Sequence, residues 1–73
     1  MKLRGLPFRA SDDDVYVFFQ DYKVKQDSLK FGMNAEGRKT GEGAVLFETE
    51  DDCKSAFTEK QGQNIGHRWI ELY

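Results

Sequence analysis

Apolar and polar residues alternate through Lys2-Leu3-Arg4-Gly5-Leu6, the period of a strand with one buried face, and Pro7 closes the run. Ser11 then stands three residues ahead of Asp14, the spacing of a capping box at a helix start. Asp12, Asp13 and Asp14 place negative charge where a helix dipole favours it. Val15, Phe18, Phe19 and Tyr22 follow at i, i+3, i+4 and i+7, one face of a helix. Alternation returns over 28–33, with Leu29, Phe31 and Met33 on one side and Ser28, Lys30 and Gly32 on the other. The polar, glycine-bearing stretch 34–39 reads as a hairpin connection. A further strand is predicted over 43–48, with Val45 and Phe47 on a shared face. Thr49 and Asp52 repeat the capping-box spacing, and the helix behind them puts Cys53, Ala56 and Phe57 on one side. Gly62 ends that helix, 63–66 is a turn, and 68–73 is a last strand with Ile70 and Leu72 opposed to Trp69, Glu71 and Tyr73.

The order is β-α-β-β-α-β. It predicts an α+β, ferredoxin-like sandwich: a four-stranded antiparallel sheet with two helices on one face and the other face open. One domain fills 1–73, and its ends fall almost flush with the first and last strands, as expected of a piece of a longer protein.

Composition changes this picture little. A 73-residue domain has a modest core, yet six Phe, three Tyr and one Trp supply it richly. No apolar run approaches the roughly 20 residues of a membrane helix. The single cysteine, Cys53, excludes an intrachain disulfide, and with one histidine, His67, it excludes a four-ligand Cys/His metal site. No nucleophile is paired with a base, no phosphate-binding loop is present and no carboxylate pair is placed for acid–base work, so neither an enzyme nor a cofactor is expected. The net charge of −2 is unevenly spread. Acidic residues gather at 12–14 and 48–52, and basic ones at Lys2, Arg4, Arg9, Arg38, Lys39, His67 and Arg68.

Within the predicted third strand, Arg38-Lys39-Thr40-Gly41-Glu42-Gly43-Ala44-Val45-Leu46-Phe47 resembles the RNP1 stretch of RNA-recognition motifs at Gly41, Gly43, Val45 and Phe47. Glu42 and Ala44 stand where the base-stacking aromatics would be, and Lys2 holds the corresponding place in the first strand. The sheet therefore lacks the usual stacking platform. Three stretches, Leu3-Arg4-Gly5-Leu6-Pro7-Phe8, Gly37-Arg38-Lys39-Thr40-Gly41-Glu42 and Gly66-His67-Arg68-Trp69-Ile70-Glu71, resemble in order and spacing the signatures of quasi-RNA-recognition motifs. That family includes the heterogeneous nuclear ribonucleoproteins F and H and related splicing regulators.

The resemblance implies that single-stranded, G-rich RNA is caged by loops at one edge of the domain. Arg4 and Phe8 from the first strand-to-helix connection, with Arg68 and Trp69 before the last strand, would form the cage. Arg9, Arg38 and Lys39 would meet phosphates. It further implies a role in splicing or another step of RNA processing, a nuclear setting, a monomeric isolated domain, no membrane, and other RNA-processing proteins as further partners. The chemistry suits the assignment, since aromatic rings and guanidinium planes stack on bases and arginine pairs with the O6/N7 edge of guanine. Each residue also has an ordinary reading: Phe8 as a core plug, Trp69 as an edge residue under a loop, the arginines as solvated charges or surface ion pairs. For the whole domain, the alternative is protein–protein contact.

Overall fold

Ser11 opens the first helix as its spacing to Asp14 predicts. In the computed structural model, which describes residues 1–73, the Ser11 hydroxyl accepts from the Asp14 N–H at 3.3 Å, and the Asp14 carboxylate accepts from the Ser11 N–H at 3.0 Å. Helix α1 (Asp12–Phe18) has seven residues, too few to be stable alone. Packing holds it: Val15, Phe18 and the C-cap Phe19 are buried, and Phe19 stands edge-on to Phe18 (4.9 Å between centroids) and to Phe47 (5.3 Å).

Tyr22 lies past the helix end and donates its hydroxyl proton to Glu59 of the second helix, α2 (Glu50–Lys60). That bond, with desolvation and the negative charges of Glu59, Asp21 and Asp52 behind it, pushes the phenol up to about 12. The protonated form is favoured by folding, so this contribution is complete below pH 10 and is lost as pH rises through about 12. Urea melts across this range are expected to show wild type losing more stability than Tyr22→Phe. Identical alkaline losses would mean that the Tyr22–Glu59 bond does not form in solution.

Strands β1 (Lys2–Arg4), β2 (Lys30–Met33), β3 (Lys39–Ala44) and β6 (Glu71–Leu72) form one antiparallel sheet in the order β2-β3-β1-β6. Leu3 lies opposite both Gly43 and Leu72, and this row faces the helices. Arg4 lies opposite Glu42 and Glu71 on the outer face. The core joins Leu3, Leu6, Val45, Phe47, Ile65, Ile70 and Leu72 of the sheet side to Val15, Phe18, Phe19 and Ala56 of the helix side. The predicted α+β sandwich is thus the observed one.

The first strand, first helix and second strand are shorter than the sequence reading, ending at Arg4, ending at Phe18 and starting at Lys30, and larger differences lie in the third strand, the last strand and the second helix. The third strand spans 39–44 rather than 43–48, because its ladder with β1 and β2 ends at Ala44. Beyond it, Leu46 and Glu48 bond instead to the 23–25 segment, through Lys25 N–H to Leu46 O at 2.8 Å and Glu48 N–H to Lys23 O at 2.8 Å. The predicted last strand is broken at buried Ile70. Strand β5 (Arg68–Trp69) folds back on β4 (Asn64–Ile65), inside the predicted turn, and only Glu71–Leu72, continued by reciprocal backbone bonds between Tyr73 and Lys2, joins the sheet. The second capping box is half formed: the Asp52 N–H donates to Thr49 Oγ1, but the Asp52 carboxylate accepts from the Lys23 N–H at 3.0 Å. Within α2, Ala56 is buried and Cys53 half-buried, while Phe57 turns outward.

On the edge strand β6, the Gln61 side chain donates to Leu72 O and accepts from Leu72 N–H, both at 2.8 Å. This amide occupies backbone groups that an edge otherwise leaves open.

Candidate nucleic-acid interface

The connection from β1 to α1 is threaded between two hairpins. The N–H groups of Gly5 and Leu6 both donate to Gly41 O, at 3.0 and 2.9 Å, which fixes it to β3. On its other side Gly5 adopts φ +93°, and a β-carbon there would lie 2.5 Å from the Trp69 carbonyl oxygen. Only glycine satisfies both the left-handed backbone and that approach. The chain then makes a β-turn over Pro7–Ala10, closed by Ala10 N–H to Pro7 O at 3.0 Å, with Phe8 and Arg9 at its tip. Phe8 is 66% exposed, so it plugs nothing.

The β2–β3 hairpin forms one flank. Asn34 Oδ1 accepts from the N–H groups of Glu36 (2.9 Å) and Arg38 (3.0 Å), an Asx-type arrangement that shapes the turn. Arg38 is exposed at its end. Phe8, Met33, Asn34, Arg38, Lys39 and Thr40 line a hollow of about 790 Å³ between hairpin and turn. Lys39 is engaged within the domain: its Nζ donates to Ala10 O at 2.6 Å and sits 4.0 Å from the Phe31 ring centroid.

The β4–β5 hairpin forms the other flank. Arg68 and Trp69 are exposed on it, Trp69 by 58%, and the indole lies against Gly62, where a β-carbon would be 3.0 Å from Nε1. Trp69 thus faces away from Ile70 and Leu72, as strand parity requires. Asp13 and Asp14 of α1 share a shallow hollow with Asn64, Ile65 and Gly66, which bounds the basic surface on this side with negative charge.

Arg4 is the last residue of β1, as its place in the alternating run predicts, and its side chain lies on the outer sheet face. There it pairs with Glu71 at 3.6 Å, and its guanidinium carbon is 5.2 Å from the Tyr73 ring centroid. The Tyr73 hydroxyl donates to Glu42 at 3.4 Å. With side-chain exposures of 61% and 42%, the Arg4–Glu71 pair is a solvated contact that a ligand displaces cheaply. The central strands carry no aromatic residue on this face, where Lys2, Arg4, Glu42 and Ala44 stand.

Phe8 therefore adjoins Arg38 and Lys39 across the hollow, with Arg9 next to it at the exposed tip of the turn, while Arg68 and Trp69 lie beyond Gly5 on the opposite flank. Met33 and Asn34 were not legible as members of this surface. Parity groups Met33 with Leu29 and Phe31, and the bulge between Phe31 and Met33 undoes that grouping. The Asn34-x-Glu36-Gly37 turn composition was the available signal for Asn34.

The RRM domain family model matches residues 1–73, the full chain. The chain belongs to this family. Within it, the chain is of the quasi type: it is 40% identical to the Glorund qRRM2 domain, with a TM-score of 0.90 over 96% of this chain and 80% of that one. The human G-rich RNA sequence binding factor 1 superposes with a TM-score of 0.92 at 28% identity, over 99% of this chain and 74% of that one. Heterogeneous nuclear ribonucleoprotein H, from mouse and human alike, is 39% identical over 75 residues. This chain, matched in full, spans 16% of that protein's length. The RRM is a binding domain and not an enzyme.

Proposed function

We propose that this RRM binds single-stranded, G-rich RNA through its connecting segments, as part of a nuclear protein of splicing or another RNA-processing step. The observation that carries this reading is the placement of Phe8 and Trp69. Both rings are largely solvent-exposed, on two segments that touch at Gly5, and arginines accompany both. Exposed aromatic rings offer stacking surfaces to unpaired bases, and Arg4 and Arg68 offer paired donors to the guanine edge. Arg9 and Arg38, both exposed, supply the cations for phosphates in this reading. On the outer sheet face β1 and β3 carry no ring, and Tyr73 beside them is already engaged by the Arg4 guanidinium and, through its hydroxyl, by Glu42. One structural neighbour is by name a binder of G-rich RNA, which supports the base preference.

The test is a titration with a short G-run RNA and a U-run RNA, followed through backbone amides by NMR. Shifts around Arg4, Phe8, Arg38 and 68–69 with guanines alone are expected. Binding should weaken with salt by about 0.7 in log–log slope per phosphate contact, hence shallowly for a few contacts. Equal shifts with both RNAs would replace selectivity by general RNA binding. No shifts with any RNA would leave protein contact as the function, for which Phe57 and Tyr73, exposed beside Met1 and Cys53, supply an apolar surface.

A further inference from the structure

Arg38 and Lys39 are neighbours in sequence, yet the fold treats them differently. Arg38 is exposed at the hairpin end and its side chain makes no bond within the domain. Lys39 is half-buried, lies opposite Met33 in the β2–β3 register, and points its ammonium into the body of the domain. Two groups receive that ammonium. The Ala10 carbonyl accepts one of its protons at 2.6 Å, and the face of Phe31 lies 4.0 Å beneath it. A charged donor to a carbonyl is stronger than a neutral one, and an aromatic face adds attraction for the cation.

The place where this bond lands gives it a consequence. Ala10 is 2% exposed, and its own N–H closes the Pro7–Ala10 turn. Lys39 therefore holds the same residue from its carbonyl side. Phe8 and Arg9 are the two central residues of that turn, and Ser11, next along, caps α1. Helix cap, turn and Lys39 together leave the turn little freedom. One of the ammonium's three protons is committed to Ala10 and its underside to Phe31, so a phosphate would have to reach the remaining protons without disturbing either contact.

We propose that Lys39 is a positioning residue: its ammonium ties β3 to the Phe8–Arg9 turn and presents those side chains in one orientation, without itself touching RNA. The second half rests on the RNA-binding reading above; the first does not. A surface already ordered before binding avoids the cost of ordering it on contact.

The discriminating variant is Lys39→Met, which keeps an unbranched apolar side chain beside Phe31 and removes the charged donor. In the free domain, the Ala10 carbonyl carbon and the Ser11 amide are expected to shift. The Phe8 and Arg9 amide order parameters should fall from about 0.85 towards 0.6. Affinity for the G-run RNA should weaken roughly three- to tenfold, the size of ordering one side chain on binding, with the salt slope unchanged. Arg38→Met is the contrast: its slope should become shallower by about 0.7 while the turn stays ordered.

A slope made shallower by Lys39→Met would assign Lys39 to a phosphate and overturn the proposal. So would a turn as ordered in the variant as in wild type. Should Lys39→Met fail to fold, the wild-type ammonium decides. An upfield ring-current shift and a coupling across the bond to the Ala10 carbonyl are expected, and their absence would refute the tie. If the wild type binds no RNA, the RNA reading fails, while the free-domain measurements still decide whether Lys39 holds the turn.

Discussion

Replacing Phe8 and Trp69 together by alanine is expected to remove most of the RNA affinity and leave the domain folded. Each ring that stacks on a base contributes roughly 1–3 kcal/mol by alanine substitution, so loss of both weakens binding by about 30-fold to 10⁴-fold. Folding should suffer far less. Phe8 is 66% and Trp69 58% exposed, and neither belongs to the buried cluster around Phe19 and Leu3. Substitutions at such sites usually change stability by about 0.5 kcal/mol or less, with somewhat more expected at Trp69 because its indole covers Gly62. Thermal unfolding and RNA titration on the same sample separate the two effects. A variant that unfolds would make the rings structural, and one that binds as tightly as wild type would remove the connecting segments from the interface. Arg68→Ala provides the polar counterpart. It should lower affinity for the G-run more than for other RNAs, because a paired contact to guanine gives way.

What sequence could tell about this domain follows from how local each interaction is. The Ser11–Asp14 box is closed within four residues, and both of its bonds form. Thr49–Asp52 has the same spacing, but Asp52 is drawn off by a backbone N–H 29 positions away, which no local pattern reveals. Strand identity was legible from period-two alternation. Strand ends were not, because Ala44 ends β3 through its partners on β1 and β2. The break at Ile70 is of the same kind: its N–H bonds to Gln63 O and its carbonyl accepts from Gly62 N–H, which turns Arg68 and Trp69 away from the sheet.

The candidate site divides along the same line. Exposure of Trp69 was readable from its parity against Ile70 and Leu72, whereas Phe8 after Pro7 read equally well as a core plug, and only its 66% exposure in the fold decides the matter. The state of each cation was not readable. Arg4 lies on the outer sheet face against Glu71 and Tyr73, and Lys39 is engaged by Ala10 and Phe31. Both outcomes depend on partners at least 8 residues away in sequence, for Phe31, and far more for the others.

Gly5→Ala tests the point where fold and interface meet, and it is expected to destabilise the domain by about 2–4 kcal/mol. Two penalties combine. A left-handed conformation costs a residue with a β-carbon roughly 1–2 kcal/mol. The new methyl would also lie 2.5 Å from the Trp69 carbonyl oxygen, a backbone atom that no rotamer change can move. Either the connection lifts away from β5 or the Gly41 bonds to Gly5 and Leu6 lengthen, and both responses displace the turn bearing Phe8. For a domain of this size the loss corresponds to a fall in Tm of roughly 10–25 °C. Gly37→Ala isolates the first penalty, since Gly37 has φ +77° but open space around it, and should cost only the conformational share. RNA affinity, measured well below both midpoints, should fall in Gly5→Ala because Phe8 and Trp69 no longer keep their relative placement. Equal costs for the two variants would show that the connection does not pass against β5, and that the two aromatic segments are not held together there.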